Sequence, residues 1–178
     1  DGLYNTALGH QALGTATSTD YNTAIGYRTL AAIIQGGEEN TAVGFSALAT
    51  NSTGARNAAF GSGSLQNNTI GGKNVGIGWN TLFTATTSSN QTAIGYGALQ
   101  NMITNSANDT EGNVALGYNA GTALTYGGAN ILLGYQAGDA LTTGSNNLIL
   151  GYDIDAPSAT GNNQLNFGNI IFGSNVNS

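Results

Sequence analysis

Several residue types that anchor chemistry in other proteins are scarce in this sequence or absent from it. The 178 residues include no cysteine, one histidine, and three Lys or Arg residues against nine Asp or Glu. The lack of cysteine excludes disulfides and thiolate metal sites. A net charge of −6 excludes the basic surface that nucleic-acid binding requires, so we expect no nucleic-acid partner. No apolar run approaches the roughly 18 residues of a spanning helix, so we expect no membrane insertion.

Charge and proline are rare as well. Charged residues make up 7% of the chain, there is one proline, and apolar residues reach 40%. This balance differs from that of disordered segments, which combine high net charge with few apolar residues. Much of the apolar content is alanine, which predicts a thin core. Abundant Gly, Asn and Thr disfavour helices, since Gly costs about 1 kcal/mol relative to Ala in a helix.

A short motif of the type NTAIG recurs along the whole chain. Its glycine is repeated every 17 residues, apart from one interval of 18 and one of 22. The ten glycines are Gly9, Gly26, Gly44, Gly61, Gly78, Gly95, Gly117, Gly134, Gly151 and Gly168. Such a fixed period is the signature of a repeat architecture in which each unit stacks on the next.

The unit itself predicts the fold. Three residues of alternating character precede the glycine, as in a short strand, and turn-forming residues follow it. A period of 17 residues is shorter than the roughly 30 residues of a strand–helix unit, and it suits two short strands and two turns. We therefore predict an all-β parallel β-solenoid of about ten coils over residues 1–161, with a repeat-breaking segment at 162–178.

Three columns of the repeat are expected to have structural roles. The asparagine four residues before the glycine should form a stacked amide ladder, and the glycine should form a corner with positive φ. The third column is the large apolar residue directly before each glycine, of which Ile25 is an example. The asparagines include Asn22, Asn40, Asn113, Asn130 and Asn147. The matching glycines are Gly26, Gly44, Gly117, Gly134 and Gly151.

The alternation also predicts which face of each strand is inside. We expect Thr23 and Ile25 to face the core of their own coil and Ala24 to face outward. In the late coils, larger residues replace the outward alanine, at Leu132 and Ile149. Exposed to water, this apolar stripe would promote association. A symmetric homo-oligomer, most naturally a homotrimer, would cover it.

The motifs NTAIGY, NTAVGF, NVALGY and NILLGY resemble the head repeats of YadA-like trimeric autotransporter adhesins. They look closer still to the NTAxGxxAL repeats of phage and viral tail-fibre proteins, and the resemblance covers residues 4–173. It implies a left-handed parallel β-roll that assembles side by side into trimers. The ending NNQLNFGNIIFG resembles the segment that precedes a self-cleaving chaperone domain in such fibres, so residues 162–178 should lead to a downstream domain.

The resemblance also implies a function. It suggests a structural and attachment protein, the receptor-binding or shaft segment of a trimeric fibre on a virion surface, with a host cell-surface glycan or protein as receptor. A bacterial adhesin head on a cell surface is the alternative.

Ice binding through the threonine column of Thr6, Thr23, Thr41 and Thr92 is a further possibility, although aliphatic residues at this register in other coils suggest an inward position. A glycan-degrading enzyme is disfavoured because the carboxylates are scattered, so we expect no catalytic residues.

The candidate ligand site is an aromatic column directly after the glycine. It could stack on sugar rings, or it could merely stabilise the solenoid corner or the trimer seam. Its members are Tyr27, Phe45, Trp79, Tyr96, Tyr118, Tyr135 and Tyr152, preceded by His10 and interrupted by Ser62. An insertion at 102–112, with Asn105, Asn108 and Asp109, and a smaller one at 33–39 are candidate recognition loops.

Metal binding has one weak candidate. Asp153 and Asp155 are close enough in sequence to share a Ca²⁺ ion, but two carboxylates form an incomplete oxygen site. A solvated turn before Pro157 is the favoured explanation. We expect no metal and no cofactor.

Overall fold

The computed structural model describes residues 2–103, 112–168 and 171–174. Within these ranges the chain forms an all-β parallel solenoid of about nine turns and contains no helix. The predicted parallel β-solenoid is thereby confirmed. The strand Gln164–Phe167 also pairs in parallel with its predecessor. None of the described segments is a helix long and apolar enough to cross a membrane.

Each coil contributes one strand, where the sequence suggested two. The first ten strands pair in parallel in chain order, and an antiparallel eleventh strand follows the tenth. The strands are β1 Thr6–Leu8, β2 Thr23–Ile25, β3 Thr41–Val43, β4 Ala58–Phe60, β5 Val75–Ile77, β6 Thr92–Ile94, β7 Val114–Leu116, β8 Ile131–Leu133, β9 Leu148–Leu150, β10 Gln164–Phe167 and β11 Ile171–Ser174.

The strands are short because the backbone turns sharply on both sides of them. In the coil of β2, φ is positive at Tyr21 (59°), Gly26 (131°), Arg28 (56°) and Leu30 (48°). These left-handed residues curl the chain into a closed coil, so the second predicted strand is replaced by turns. The turns are still bonded between coils, since the Arg28 N–H donates to the His10 carbonyl at 3.0 Å.

The predicted assignment of the two strand faces was wrong. Ala24 is fully buried, and so is its counterpart in β3 to β9 wherever that residue has a side chain, whereas Ile25 is 36% exposed. The interior is narrow, and Leu residues four positions after the corner glycine already fill it from the opposite wall. These leucines, all fully buried, are Leu30, Leu48, Leu65, Leu82 and Leu99. Only alanine, or glycine at Gly76, stands opposite them, so the larger Ile25 points outward.

In the coil of β8, the large and the small core residue have exchanged walls. In the coil of β8, the buried strand residue is Leu132, and the position opposite is Gly138. A Cβ added to Gly138 would lie 2.8 Å from Leu132 Cδ2, so a side chain there would overlap the leucine. The total side-chain volume of the pair falls by only one methyl group, although the large residue has moved to the other wall. The core therefore depends on pairs of residues rather than on single positions.

This exchange predicts strong coupling between Leu132 and Gly138. Leu132→Ala should lower the free energy of unfolding by about 3 kcal/mol through the cavity it leaves. Gly138→Leu alone should cost about 1–3 kcal/mol by overpacking. The double variant recreates the Ala93 and Leu99 pair of an earlier coil and should recover most of both losses. Chemical denaturation of the four proteins measures the coupling, and simple additivity would contradict the exchange.

Candidate ligand-binding and assembly surfaces

A ladder of buried amides runs through the solenoid beside the strands. The Asn40 N–H donates to Asn22 Oδ1 at 2.9 Å, and the Asn57 N–H donates to Asn40 Oδ1 at the same distance. The Asn40 amide group also donates to the Gly54 carbonyl at 3.0 Å. Asn113, Asn130 and Asn147 continue this pattern, and the longer Gln91 takes one rung. The ladder joins consecutive coils and is inaccessible to ligands.

The corner glycines form a second column, which is half-buried. At Gly44, φ is 133°, and a Cβ would lie 2.6 Å from the carbonyl oxygen of Gly61 in the next coil. Gly26, Gly117, Gly134 and Gly151 have similar φ values between 131° and 145°. The column lets adjacent coils approach closely at the corner. Like the asparagines, these residues position the surface without forming it.

The aromatic residues after the corner form two stacks on the outside. The first joins His10, Tyr27 and Phe45, with ring centroids 5.6 and 5.2 Å apart. The second runs from Trp79 through Tyr96, Tyr118 and Tyr135 to Tyr152, with centroids 4.6 to 5.2 Å apart. All these pairs are nearly coplanar, with interplanar angles of 10° to 14°. Ser62 separates the two stacks.

These rings are both structural and accessible. Tyr27, Trp79, Tyr96, Tyr118 and Tyr135 are 40–44% exposed, and the rings stack on each other rather than on the core. Phe45 and Tyr152 are more exposed, at 57% and 73%. The column therefore stabilises the corner and also presents an aromatic ridge, interrupted at Ser62, to solvent in the single chain.

The outer face of the strands carries an apolar stripe, formed by the residue directly before each corner glycine. Six of its members are between 36% and 67% exposed, and the other four are half-buried. They are Leu8, Ile25, Val43, Phe60, Ile77, Ile94, Leu116, Leu133, Leu150 and Phe167. We call this set the outer stripe. The outer stripe, and not the predicted alanine stripe, is therefore the apolar surface that the single chain exposes to solvent.

The threonine column also lies on the outer face. Thr6 is exposed, and Thr23 and Thr41 are half-buried, in register with one another. The expected inward position was therefore wrong. Ala58 and Val75 interrupt the column after three rungs, so it presents no extended regular hydroxyl array.

Three carboxylates converge on the last coils. Asp139 is close to Asp153 and Asp155, and burial together with the charge of Asp155 raises the pKa of Asp139 above its ordinary value of 3.8. The Gln136 amide donates to Asp139 at 3.0 Å, and the Ala140 N–H donates to Asp155 Oδ1 at 2.9 Å. Within the described part of the chain, no group of acidic or histidine side chains has the arrangement of a metal site. These contacts are typical of a solvated turn.

The Asp139 carboxyl should make stability depend on pH. Because its folded pKa is raised, its favourable contribution is complete below about pH 3.8 and is lost as pH rises through the raised pKa. Asp139→Asn should therefore stabilise the fold more at pH 7 than at pH 3.5. Thermal unfolding at several pH values measures this difference, with Glu38→Gln as the control. An equal effect at both pH values would contradict the prediction.

The two candidate loops differ in what the structure shows. Asn105, Asn108 and Asp109 lie outside the described residues. In the segment 33–39, Ile33 is buried, Ile34 is exposed, and Glu39 forms an ion pair with Arg56 at 2.9 Å. Both partners of that pair are exposed, so it contributes little stability. The segment makes a small bulge with one apolar tip.

A shallow groove of about 380 Å³ lies over the first three coils. Gly14, Ala31 and Ala49 form much of its floor, with Arg28 and Thr15 at its sides. The Thr15 hydroxyl already donates to the carbonyl of Ala31 at 3.0 Å. The Thr50 hydroxyl likewise donates to the Gln66 carbonyl at 2.8 Å, so neither threonine hydroxyl is available to donate to a ligand there.

No protein-family model, curated protein or solved structure matches this chain. The outer stripe was missed from the sequence because its large residues look like core. The signal that could have revealed it lies in the coil of β8. There Leu132 replaces the usual alanine, and Gly138 replaces the usual leucine.

Proposed function

We propose that this chain is a structural and attachment segment of a homotrimeric fibre, wound as a left-handed β-roll. The observation that carries the proposal is the outer stripe, which spans all ten parallel strands and is left in water in a single chain. Monomeric proteins rarely keep so long an apolar surface exposed. Packing three stripes about an axis would bury them.

A threefold assembly also suits attachment. Each chain would carry its own aromatic ridge, so three weak contacts with a host surface would combine into useful avidity. The resemblance to tail-fibre repeats favours a virion surface, and a bacterial adhesin head is the alternative. A host cell-surface glycan or protein would be the receptor.

Sedimentation equilibrium tests the assembly. The wild-type chain should sediment at three times 17.9 kDa. Ile77→Asp places a charge in the outer stripe and should yield monomers, because a buried charge in the interface is strongly unfavourable. Ile70→Asp is the matched control, since Ile70 is 58% exposed and lies outside the stripe. A wild-type monomer, or equal dissociation by both variants, would overturn the proposed interface.

Attachment needs a separate measurement. Labelled wild-type protein should bind to some members of a panel of bacterial and animal cells and of immobilised glycans. The Ile77→Asp variant should bind much more weakly, because avidity is lost with the trimer. Absence of binding across the panel would restrict the role to that of a shaft.

A further inference from the structure

The free faces of the aromatic column decide where a flat ligand can stack. Tyr96, Tyr118 and Tyr135 each lie between two other rings at 4.6–5.2 Å, so both of their faces are covered. A ligand can reach only the edges of these rings. The predicted ligand-binding column is therefore closed to face stacking along most of its length.

At the interruption by Ser62, the two flanking rings have no ring stacked on their inner faces. The coil backbone continues there without a break, since the Gly63 N–H donates to the Phe45 carbonyl at 2.9 Å and the Asn80 N–H donates to the Ser62 carbonyl at 3.0 Å. Ser62 thus occupies the level at which other coils supply a ring. Phe45 is 57% exposed, whereas Tyr27, which is stacked on both faces, is 44% exposed.

The gap has the thickness of one ring. Adjacent coils are separated by about 4.8 Å, so Phe45 and Trp79 are about 9.6 Å apart along the stack. The tyrosines of the second stack lie 4.6–5.2 Å from each neighbouring ring. An inserted ring would have the same spacing from Phe45 on one side and from Trp79 on the other. We call this space the Ser62 slot.

The groups around the slot favour a neutral, hydroxyl-bearing ring. Ser62 offers a hydroxyl at its base, and the Asn80 amide oxygen lies beside Gly63 at its rim. None of the side chains that form the slot is charged, and the chain has a net charge of −6, which disfavours anionic ligands. Ring faces for apolar C–H groups and polar groups for hydroxyls are the usual features of a sugar site.

We propose that the Ser62 slot binds one neutral hexopyranose ring between Phe45 and Trp79. This inference rests on the proposed attachment function in that the ring belongs to a receptor glycan. A single sugar has about 12 non-hydrogen atoms, which corresponds to a dissociation constant of roughly 1–10 mM. Three slots in a trimer would raise the apparent affinity for a multivalent surface.

Trp79 provides the readout, because it is the only tryptophan in the chain. Methyl β-glucopyranoside, methyl β-galactopyranoside and methyl α-mannopyranoside serve as probes, titrated into the purified trimer to about 100 mM, well above the expected dissociation constant. At least one should shift the Trp79 emission in a saturable way. N-acetylneuraminic acid and indole are run in parallel as an anionic sugar and an aromatic competitor.

Two variants locate the binding. Ser62→Tyr supplies the missing ring, as five other coils do with tyrosine, and should weaken sugar binding at least tenfold with no loss of trimer. Ser62→Ala leaves the slot open and should weaken binding less than threefold. Conversely, Tyr118→Ser opens an equivalent slot between Tyr96 and Tyr135 and should add a second site, detected by isothermal titration calorimetry.

The outcomes separate this inference from the proposed function. If no neutral sugar shifts the Trp79 emission, or if Ser62→Tyr binds as well as wild type, the slot proposal is wrong, whatever the cell-binding result. A saturable response to indole or sialic acid alone would overturn the ligand class. Sugar binding in the slot without attachment to any cell would support the slot and count against the attachment role.

Discussion

Gly44→Ala should lower the free energy of unfolding by about 3–6 kcal/mol and disrupt the solenoid around β3 and β4. Two costs combine at this position. At a φ of 133°, a side chain is strained in any surroundings, and the added Cβ would lie 2.6 Å from the carbonyl oxygen of Gly61. That oxygen belongs to the backbone of the next coil, so relief requires separation of the coils.

Gly36→Ala measures the cost of a side chain at positive φ without close contact between coils. Gly36 also has a positive φ, 94°, but no atom lies within 4 Å of the position of its Cβ. Its substitution should therefore cost only about 1–3 kcal/mol. Urea denaturation followed by circular dichroism measures both variants. Equal losses would show that close coil contact does not add to the effect at Gly44.

Asn57→Ala should cost about 3–6 kcal/mol, because one side chain satisfies three buried groups. Its Oδ1 accepts from the Asn74 N–H at 2.9 Å, and its amide group donates to Asn40 Oδ1 at 3.1 Å and to the Gly71 carbonyl at 2.9 Å. Removal leaves the Asn74 N–H unpaired in the interior, where water cannot replace the lost bond. Asn40 Oδ1 and the Gly71 carbonyl each lose one of their two donors.

Asn57→Gln is the matched control. Gln91 already occupies one rung, where its Oε1 accepts from the Asn113 N–H at 3.1 Å. The glutamine variant should therefore keep most of the ladder and cost less than half as much as alanine. Amide hydrogen exchange at Asn74 provides a local readout, since its N–H bonds directly to the Asn57 side chain. Unchanged protection in Asn57→Ala would contradict the role of the ladder.

The repeat spacing was enough to predict the parallel solenoid, because a period of 17 residues with a fixed glycine has few other solutions. The orientation of the strands was not predictable from the strands alone. Ile25 is more apolar than Ala24, so it looked like the core residue. The interior width is set by Leu30 on the opposite wall, and that contact depends on how the coil closes.

The aromatic column shows a similar limit. Its register was evident from Tyr27, Phe45 and Trp79, but sequence could not show whether each ring keeps a free face. That property depends on the stacking distance, and at Ser62 it leaves the two flanking rings without a stacked ring on their facing sides. The recognition residues proposed at 102–112 stay a prediction, since Asn105, Asn108 and Asp109 lie outside the described residues.

The amide ladder also has a mechanical consequence. Its bonds run from coil to coil, so a pull along the stack loads every interface in series, and the weakest one yields first. A force applied across the stack is instead shared by many rungs at once. The solenoid should therefore resist sideways load on its aromatic ridge far better than traction from its ends.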